Sequence, residues 1–225
     1  MSELPPSLTK TRRLATDQRP SRLSREDWIE AARVVLIAYG VDDVKVDRLA
    51  KKLRVTRGSF YWHFKHRKDL LDALLAGWET QNRNELRQIR KRSQRIDAGL
   101  AETVRIWLSE DPAYPTFDMA VRFWARKSPE VARLVRKIDE EWISLFQETF
   151  EAHGEDKMTA FARARVIYFH QIGYNALALG ESLEDRLVLA PYYHHVLTGR
   201  LGSEELTETI EELRAQNEQK KRPRG

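Results

Sequence analysis

Apolar residues recur at the spacing of an α-helix through most of the chain, and no segment shows a convincing strand alternation. In the amino-terminal third, these patterns predict a first helix over residues 24–39, with Ser24 as its cap and Gly40 as a left-handed stop. A second helix is predicted over 46–53 and a third over 56–64. Two short amphipathic helices joined by so tight a turn form a helix-turn-helix.

The rest of the chain also has helical periodicity. A fourth helix begins near Lys68 and runs to about Arg95. Further helices are predicted over 98–110, 116–127, 129–152, 157–179, 183–198 and 203–221, with breaks at Pro112 and Pro115. We therefore expect an all-α chain with a disordered basic arm at 1–23, a three-helix helix-turn-helix domain at 24–70, a larger helical domain at 71–200 and a polar helix or tail at 201–225.

The third predicted helix has an unusual distribution of aromatic residues. Phe60 and Phe64 are four residues apart and share one face, whereas Trp62 points away from that face. The residues around Trp62 are small or can form hydrogen bonds, namely Gly58, Ser59, Tyr61 and His63. A helix that enters a DNA groove has this character, because small residues allow close approach and polar groups reach phosphates.

Charge and composition narrow the class of protein. Residues 1–70 hold 16 Lys+Arg and 9 Asp+Glu, a net charge of +7, whereas residues 71–225 hold 23 and 25, a net charge of −2. A basic segment beside a nearly neutral remainder indicates a module that binds a polyanion. The chain has no cysteine, which excludes disulfides and thiolate zinc sites. No apolar run is long enough to span a membrane, so we expect a cytoplasmic protein without a membrane partner.

Residues 49–71 closely resemble the DNA-binding domain of the TetR family of bacterial transcriptional regulators. The most specific part is Tyr61-Trp62-His63-Phe64, followed by Lys65 and the Leu70-Leu71 pair. The resemblance covers about residues 24–75. It implies a homodimer in which the helix-turn-helix binds a palindromic operator in double-stranded DNA. The helical domain at 71–200 would then dimerise and bind a small effector.

The resemblance also assigns roles to individual residues. Arg57, Ser59 and Trp62 are expected to face base edges, and Tyr61 and His63 to contact phosphates. Arg67 matches a basic residue that holds a phosphate. The full predicted set for DNA binding is Arg48, Arg54, Thr56, Arg57, Gly58, Ser59, Tyr61, Trp62, His63, Arg67 and Lys68.

The sequence departs from the family pattern at two positions. Arg54 stands where glycine is usual in the turn, and a left-handed conformation there costs a non-glycine residue about 1 kcal/mol. Contact with a phosphate could offset that cost. Lys45-Val46-Asp47 stand where threonine is common at the start of the second helix, which leaves base contacts from that helix in doubt.

Aromatic residues are abundant in the carboxy-terminal part, where four of the six tryptophans follow residue 75. Most of these rings can be ordinary core residues, yet helical domains lined in this way often leave an apolar cleft between helices. The predicted effector pocket contains Trp107, Phe117, Trp124, Trp142, His170 and Asn175. The pair of helices over 157–198 combines small and large apolar residues and is the predicted two-fold interface.

The function expected from these features is a sequence-specific DNA-binding transcriptional regulator, a repressor that a small apolar or amphipathic ligand releases from DNA. Two alternatives stay open: a helical-bundle enzyme, and an architectural DNA-binding protein without an effector. No catalytic set, cofactor or metal site is predicted, because His63 with His66, and His194-His195 with His170, lack a convincing ligand set. The sequence leaves open the effector, the operator, the regulated genes, repression versus activation, and whether the arm touches DNA.

Overall fold

The computed structural model describes residues 23–109, 113–200 and 202–221, and every regular element among them is helical. The predicted arm at 1–23 lies almost wholly outside these residues. A single 3-10 turn at Val41–Asp43 follows α1. The α-helices are α1 (Arg25–Tyr39), α2 (Val46–Leu53), α3 (Arg57–Tyr61), α4 (Arg67–Arg92), α5 (Ile96–Ser109), α6 (Ala113–Ala125), α7 (Pro129–Ala152), α8 (Lys157–Leu177), α9 (Leu183–Thr198) and α10 (Glu204–Lys221).

Helix α1 begins where the sequence predicts. Ser24 accepts a hydrogen bond from the Asp27 backbone, and Asp27 accepts one in return, which completes a capping box. Gly40 ends the helix with φ 82° and ψ 175°. Its φ is positive, as predicted, but its ψ lies outside the left-handed helical region, so the predicted left-handed cap is wrong. The buried stripe consists of Trp28, Ala31, Ala32, Val35 and Leu36. It packs against α2, α4 and α6.

Helix α3 is shorter than the predicted span of 56–64. The carbonyl of Phe60 accepts hydrogen bonds from the backbone N–H groups of both His63 and Phe64, and this turn ends the helix. His66 must adopt an extended conformation, because its side chain accepts from the Asp69 backbone and caps α4. The chain therefore has to leave α3 early. At the start of the helix, Thr56 is the N-cap, as predicted, but its side chain forms no capping hydrogen bond.

The larger helical domain is built around α4, which contacts α1, α5 and α7. One apolar core extends from the amino-terminal helices into this domain, where it includes Trp78 and Ile89 of α4 and Trp142 and Phe146 of α7. Helices α7 and α8 pack along each other, and α9 follows α8.

Three predictions for the carboxy-terminal helices change. Pro115 lies inside the first turn of α6. Backbone N–H groups of a first turn have no partner within the helix, so the missing N–H of proline costs no helical hydrogen bond there. Helix α8 ends at Leu177, because Ala178 adopts the left-handed conformation (φ 48°), two residues before the predicted stop at Gly180. Helix α10 is more than a polar tail, since Leu206, Ile210 and Leu213 are buried and the helix packs against α5.

Candidate nucleic-acid interface and internal cavity

The two faces of α3 and of the turn that follows it, residues 57–64, differ as the sequence predicts. Phe60 and Phe64 are buried, with ring centroids 5.3 Å apart, and Phe60 meets Trp28 of α1 edge-on at 5.3 Å. Trp62, by contrast, is 76% exposed. The Phe60–Phe64 and Phe60–Trp28 contacts thus hold one face of this segment against its domain. The opposite face projects outward with a large indole ring.

The other predicted contact residues surround Trp62. Arg54, Thr56, Arg57, Gly58 and Tyr61 are exposed, and Ser59 and His63 are half-buried. A Cβ added to Gly58 would meet only the Thr56 hydroxyl, at 3.7 Å. Packing within the chain therefore does not require glycine at position 58. A glycine at an exposed helical position instead allows a partner to approach the backbone closely.

Two arginines of this surface are held by acidic neighbours. The Arg57 Nε atom lies 2.8 Å from Asp47 Oδ1, and both side chains are largely exposed. Arg48 forms an ion pair with Asp43, and its guanidinium lies 3.9 Å from the centroid of the Tyr39 ring. A phosphate or a base could replace Asp47 with little loss, because exposed ion pairs are weak.

Arg54 occupies the turn between α2 and α3 in the left-handed conformation, with φ 56° and ψ 41°. A residue with a Cβ is disfavoured there by about 1 kcal/mol. The backbone N–H groups of Arg54 and Val55 donate to the last carbonyls of α2, so the turn is closed despite this cost. The side chain is exposed beside α3.

The guanidinium of Arg67, which the sequence predicts to contact a phosphate, forms hydrogen bonds with backbone carbonyls of this chain. Its Nε atom donates to the carbonyl of Val44 at 2.6 Å, and a second guanidinium N–H donates to the carbonyl of Val41. Arg67 therefore fastens the first turn of α4 to the loop before α2. Lys68, its neighbour, pairs with Asp72 one turn further along α4 at 2.9 Å.

The larger domain contains a partly open cavity of about 100 Å³ between α5, α8 and α9. Its surface is mostly apolar, with a few polar groups. The residues that line it include Leu100, Thr103, Val104, Trp107, Ile167, His170, Gln171, Tyr174, Glu181, Arg186, Tyr193, His194, Leu197 and Thr198.

Only two of the six predicted pocket residues, Trp107 and His170, line this cavity. Trp142 and Asn175 border a smaller space on the side of α4. Phe117 and Trp124 do not line the cavity between α5, α8 and α9, because α6 packs on α1 rather than on α9. Phe117 lies beneath the Arg33 guanidinium at 5.9 Å, and Trp124 faces the carboxy-terminal end of α1.

Sequence reasoning missed the residues that α9 contributes to the cavity, above all Tyr193 and His194. The spacing of His170 and Tyr174, four residues apart on α8, was a usable signal, because such residues share a face. Nothing comparable marks His194, whose neighbour His195 is exposed.

Two histidines of the cavity have unpaired ring nitrogens. Within the described part of the chain, neither His170 Nδ1 nor His194 Nε2 has a hydrogen-bond partner, although both atoms are buried. Burial lowers the pKa of both imidazoles, because the charged form loses hydration. Both side chains are therefore neutral at pH 7.

Buried polar groups connect α4 to α6 and α7. The Trp78 indole donates to Asp118 at 2.8 Å, and Asp118 also accepts from Arg122 at 2.7 Å. The Trp142 indole donates to the Asn82 side chain at 3.0 Å. These hydrogen bonds join three helices inside the core, where an unpaired partner would be costly.

Glu85 lies on the same side of α4 and is only 4% exposed. Burial raises the pKa of its carboxyl to about 7, and the nearby Asp118 charge adds to this, whereas a hydrogen bond from Gln81 acts in the opposite direction. A protonated Glu85 is therefore the favoured form in the folded protein below neutral pH.

Several large apolar side chains on α8 and α9 are exposed. Val166, Leu177, Tyr192 and Val196 have 52%, 70%, 69% and 75% of their surface exposed. The inward residues of α8, such as Ala160 and Ala164, are fully buried against the domain. Exposed apolar side chains that are grouped on neighbouring elements are typical of interaction surfaces.

Two further findings concern sites that the described residues lack. None of the helices found between residues 23 and 221 has the length and hydropathy of a transmembrane span. In the same part of the chain, no three His, Asp or Glu side chains are grouped so that they could hold a metal ion.

Comparison with known proteins locates the strongest similarity in the amino-terminal helices. A family model described as bacterial regulatory proteins, tetR family, matches residues 29–74. The HTH-type transcriptional regulator SrpR of Pseudomonas putida is 45% identical over 53 residues, and the class D tetracycline repressor protein of Escherichia coli is 43% identical over 54 residues. Each match covers 24% of this chain and 25% of the relative, so the chain matches about a quarter of the relatives' length.

Solved structures resemble a larger part of the chain. Salmonella enterica GusR superposes with a TM-score of 0.59 at 18% identity, over 80% of this chain and 95% of GusR. The ketosteroid transcriptional regulator KstR2 of Mycobacterium tuberculosis gives a TM-score of 0.59 at 16% identity, also over 80% and 95%. At this identity the likeness concerns the fold: an amino-terminal helix-turn-helix followed by a larger helical domain.

Proposed function

We propose that this chain, which belongs to the tetR family of bacterial regulatory proteins, is a cytoplasmic transcriptional repressor that binds a palindromic operator as a homodimer. The observation that carries the proposal is the exposed face of α3. Trp62, Arg57 and Gly58 project from a helix whose opposite face is anchored by Phe60 and Phe64. A short rigid helix presented in this way fits the major groove of DNA.

Within this proposal, the residues of α3 divide into two groups. Arg57, Ser59 and Trp62 contact base edges, and Tyr61 and His63 contact phosphates, as do the exposed Arg54 and Lys68. Arg67 keeps its contacts with the carbonyls of Val41 and Val44 and acts by positioning α4. Base contacts give specificity, whereas phosphate contacts give affinity that depends on salt.

The proposed dimer uses the outer faces of α8 and α9. The exposed residues Val166, Phe169 and Leu177 on α8 and Tyr192 and Val196 on α9 form one apolar surface. A second copy related by a two-fold axis would cover it with the same residues and form a four-helix interface. Among the small residues of these helices, Ala160 and Ala164 face the core, whereas Ala176 is exposed beside Leu177 and is available to the interface.

We place the effector in the cavity between α5, α8 and α9. The cavity borders the proposed dimer helices on one side and, through Trp107, the core beneath α4 on the other. A ligand that favours one separation of the two recognition helices must weaken binding to DNA that favours another. Coupling of about 1–3 kcal/mol would change the affinity for DNA roughly 5- to 150-fold.

Selection of bound sequences from a random pool of duplex DNA tests this function. The full chain should enrich an imperfect palindrome, and affinity measured by fluorescence anisotropy should fall steeply with salt, because each neutralised phosphate contributes about 0.9 to the log–log slope. Trp62→Ala should remove the sequence preference. Phe123→Ala, a change at an exposed aromatic residue of α6, is the matched control and should preserve it. Equal affinity for all sequences would refute the proposal.

A further inference from the structure

The cavity between α5, α8 and α9 has the chemistry of a specific binding site. We propose that it binds an uncharged compound with one aromatic ring and a hydroxyl group, and that His170 and His194 are the hydrogen-bond partners of that hydroxyl. The proposal names the ligand class for the cavity that the proposed function assigns to an effector. It depends on that function only for the effect of the ligand on DNA binding.

The shape and surface of the cavity favour a single ring. Its volume is about 100 Å³, less than the roughly 150 Å³ of an apolar cavity that accommodates benzene, so one ring is the most that it can enclose. Drug-sized ligands occupy pockets of roughly 300 Å³ or more. Trp107, Tyr174 and Tyr193 contribute aromatic walls, and Leu100, Val104 and Ile167 contribute aliphatic ones. Aromatic walls favour an aromatic guest through offset and edge-to-face contacts.

The two histidines define the polar part of the ligand. His194 is 5% exposed, and His170 lies with its ring centroid 4.8 Å from that of Tyr193 on the facing helix. His170 Nδ1 and His194 Nε2 are buried without a partner among the described residues. Because both atoms have almost no accessible surface, the rings must turn slightly to present them to the cavity, and a ligand hydroxyl that then supplies the missing hydrogen bond gains affinity. A hydroxyl both donates and accepts, and it therefore suits either tautomer of an imidazole.

The charges around the cavity argue for an uncharged ligand. The charged side chains that line it are Arg186 and Glu181, which compensate each other. The guanidinium of Arg186 lies over the Tyr174 ring at 4.8 Å and donates to the carbonyl of Trp107 at 3.3 Å. The carboxylate of Glu181 accepts a hydrogen bond from the Tyr174 hydroxyl. The imidazoles are neutral because burial lowers their pKa, so a carboxylate ligand would find no uncompensated positive charge.

Three probes of similar size separate the possible outcomes. Phenol carries the proposed hydroxyl, toluene replaces it with a methyl group, and benzoate carries a negative charge. Binding to the full chain is measured by isothermal titration calorimetry or by the fluorescence of Trp107 and its neighbours. We expect phenol to bind about tenfold more tightly than toluene, the worth of one good hydrogen bond, and benzoate to bind more weakly than phenol.

Variants of the two histidines then test whether they bind the hydroxyl group of phenol. His194→Leu and His170→Leu should each weaken phenol binding up to about tenfold and leave toluene binding intact, which also shows that the cavity is still folded. His194→Gln, which keeps a donor and an acceptor, should retain most of the phenol affinity. His195→Leu is the matched control, because His195 is exposed on the same helix. Equal binding of phenol and toluene by the wild type overturns the proposal, and so does tighter binding of benzoate.

One further measurement distinguishes refutation of the proposed ligand class from refutation of the proposed regulatory function. Operator affinity is measured with and without a saturating concentration of phenol. If the protein selects a palindrome but phenol binds no better than toluene, the ligand class is wrong and the regulator stands. If phenol binds through the two histidines and the protein shows no preference among DNA sequences, the binding site stands and the proposed function fails.

Discussion

Replacing Glu85 by glutamine should make the protein more stable, by an amount that depends on pH. Glu85 lies on α4 with 4% of its surface exposed, and burial raises the pKa of its carboxyl from 4.5 to about 7. In the unfolded chain the pKa returns to about 4.5. The folded state therefore holds a proton that the unfolded state releases between these two values, and stability falls as pH rises through that window.

The magnitude follows from the same two pKa values. Each pKa unit corresponds to about 1.4 kcal/mol, so the 2.5 units between 4.5 and about 7 correspond to about 3 kcal/mol of lost stability well above pH 7. Glutamine resembles the protonated acid in shape and in hydrogen bonding, and it never ionises. The free energy of unfolding of Glu85→Gln should therefore exceed that of the wild type by about 1 kcal/mol at pH 5 and about 3 kcal/mol at pH 8.

Urea unfolding followed by circular dichroism measures this difference from pH 5 to pH 8. Both proteins are compared at one fixed concentration, because the stability of a dimer depends on concentration. Glu208→Gln on α10 is the control, since Glu208 is exposed and the same substitution there should change stability by less than about 0.5 kcal/mol. A stability difference for Glu85→Gln that does not vary with pH would show that the carboxyl titrates as in the unfolded chain.

Three further predictions concern DNA and assembly. Asp47→Asn frees Arg57 and removes a negative charge from the proposed interface, so operator affinity measured by anisotropy should rise about two- to fivefold at low salt and not at high salt. Arg57→Ala should alter the preference at one base pair by about 1–3 kcal/mol, whereas Tyr61→Phe should weaken all sites alike; the reverse pattern would contradict the assigned faces. Val196→Arg should give a monomer in sedimentation with greatly reduced operator affinity, whereas Val34→Arg, at another exposed valine, should stay dimeric.

Helical periodicity predicted the faces of helices better than it predicted their partners. The spacing of Phe60 and Phe64 identified the buried side of α3, because a residue pair four apart depends only on local geometry. The length of α3 was wrong, since its end is decided by the cap that His66 provides for the next helix. Phe117 and Trp124 are buried as core residues, yet periodicity does not show which neighbouring helix an apolar face meets.

The carbonyl contacts of Arg67 could not be predicted from the sequence for a related reason. A basic residue before a helix can hold a phosphate or a backbone carbonyl, and the two uses look the same in a sequence. The carbonyls that Arg67 contacts belong to Val41 and Val44, residues more than 20 positions earlier in the chain. Only the packing of α4 against the turn after α1 brings these groups together. The turn at Arg54 was easier to predict, because the left-handed conformation is a local property of the end of α2.

These contacts restrict how a ligand could control DNA binding. Arg67 joins the start of α4 to the helix-turn-helix domain, and the core shared by Trp28, Leu70 and Leu74 reinforces that contact. Further along α4, the Asn82 side chain is held by the indole of Trp142, whose ring lies 6.1 Å from that of Trp107 in the cavity wall. Buried hydrogen bonds and packed rings resist gradual deformation, so a ligand that displaces Trp107 would move α4 and the DNA-binding domain together rather than reshape α3. Control of DNA binding in the proposed dimer would then act on the distance between the two recognition helices, and each recognition helix would keep its own base contacts.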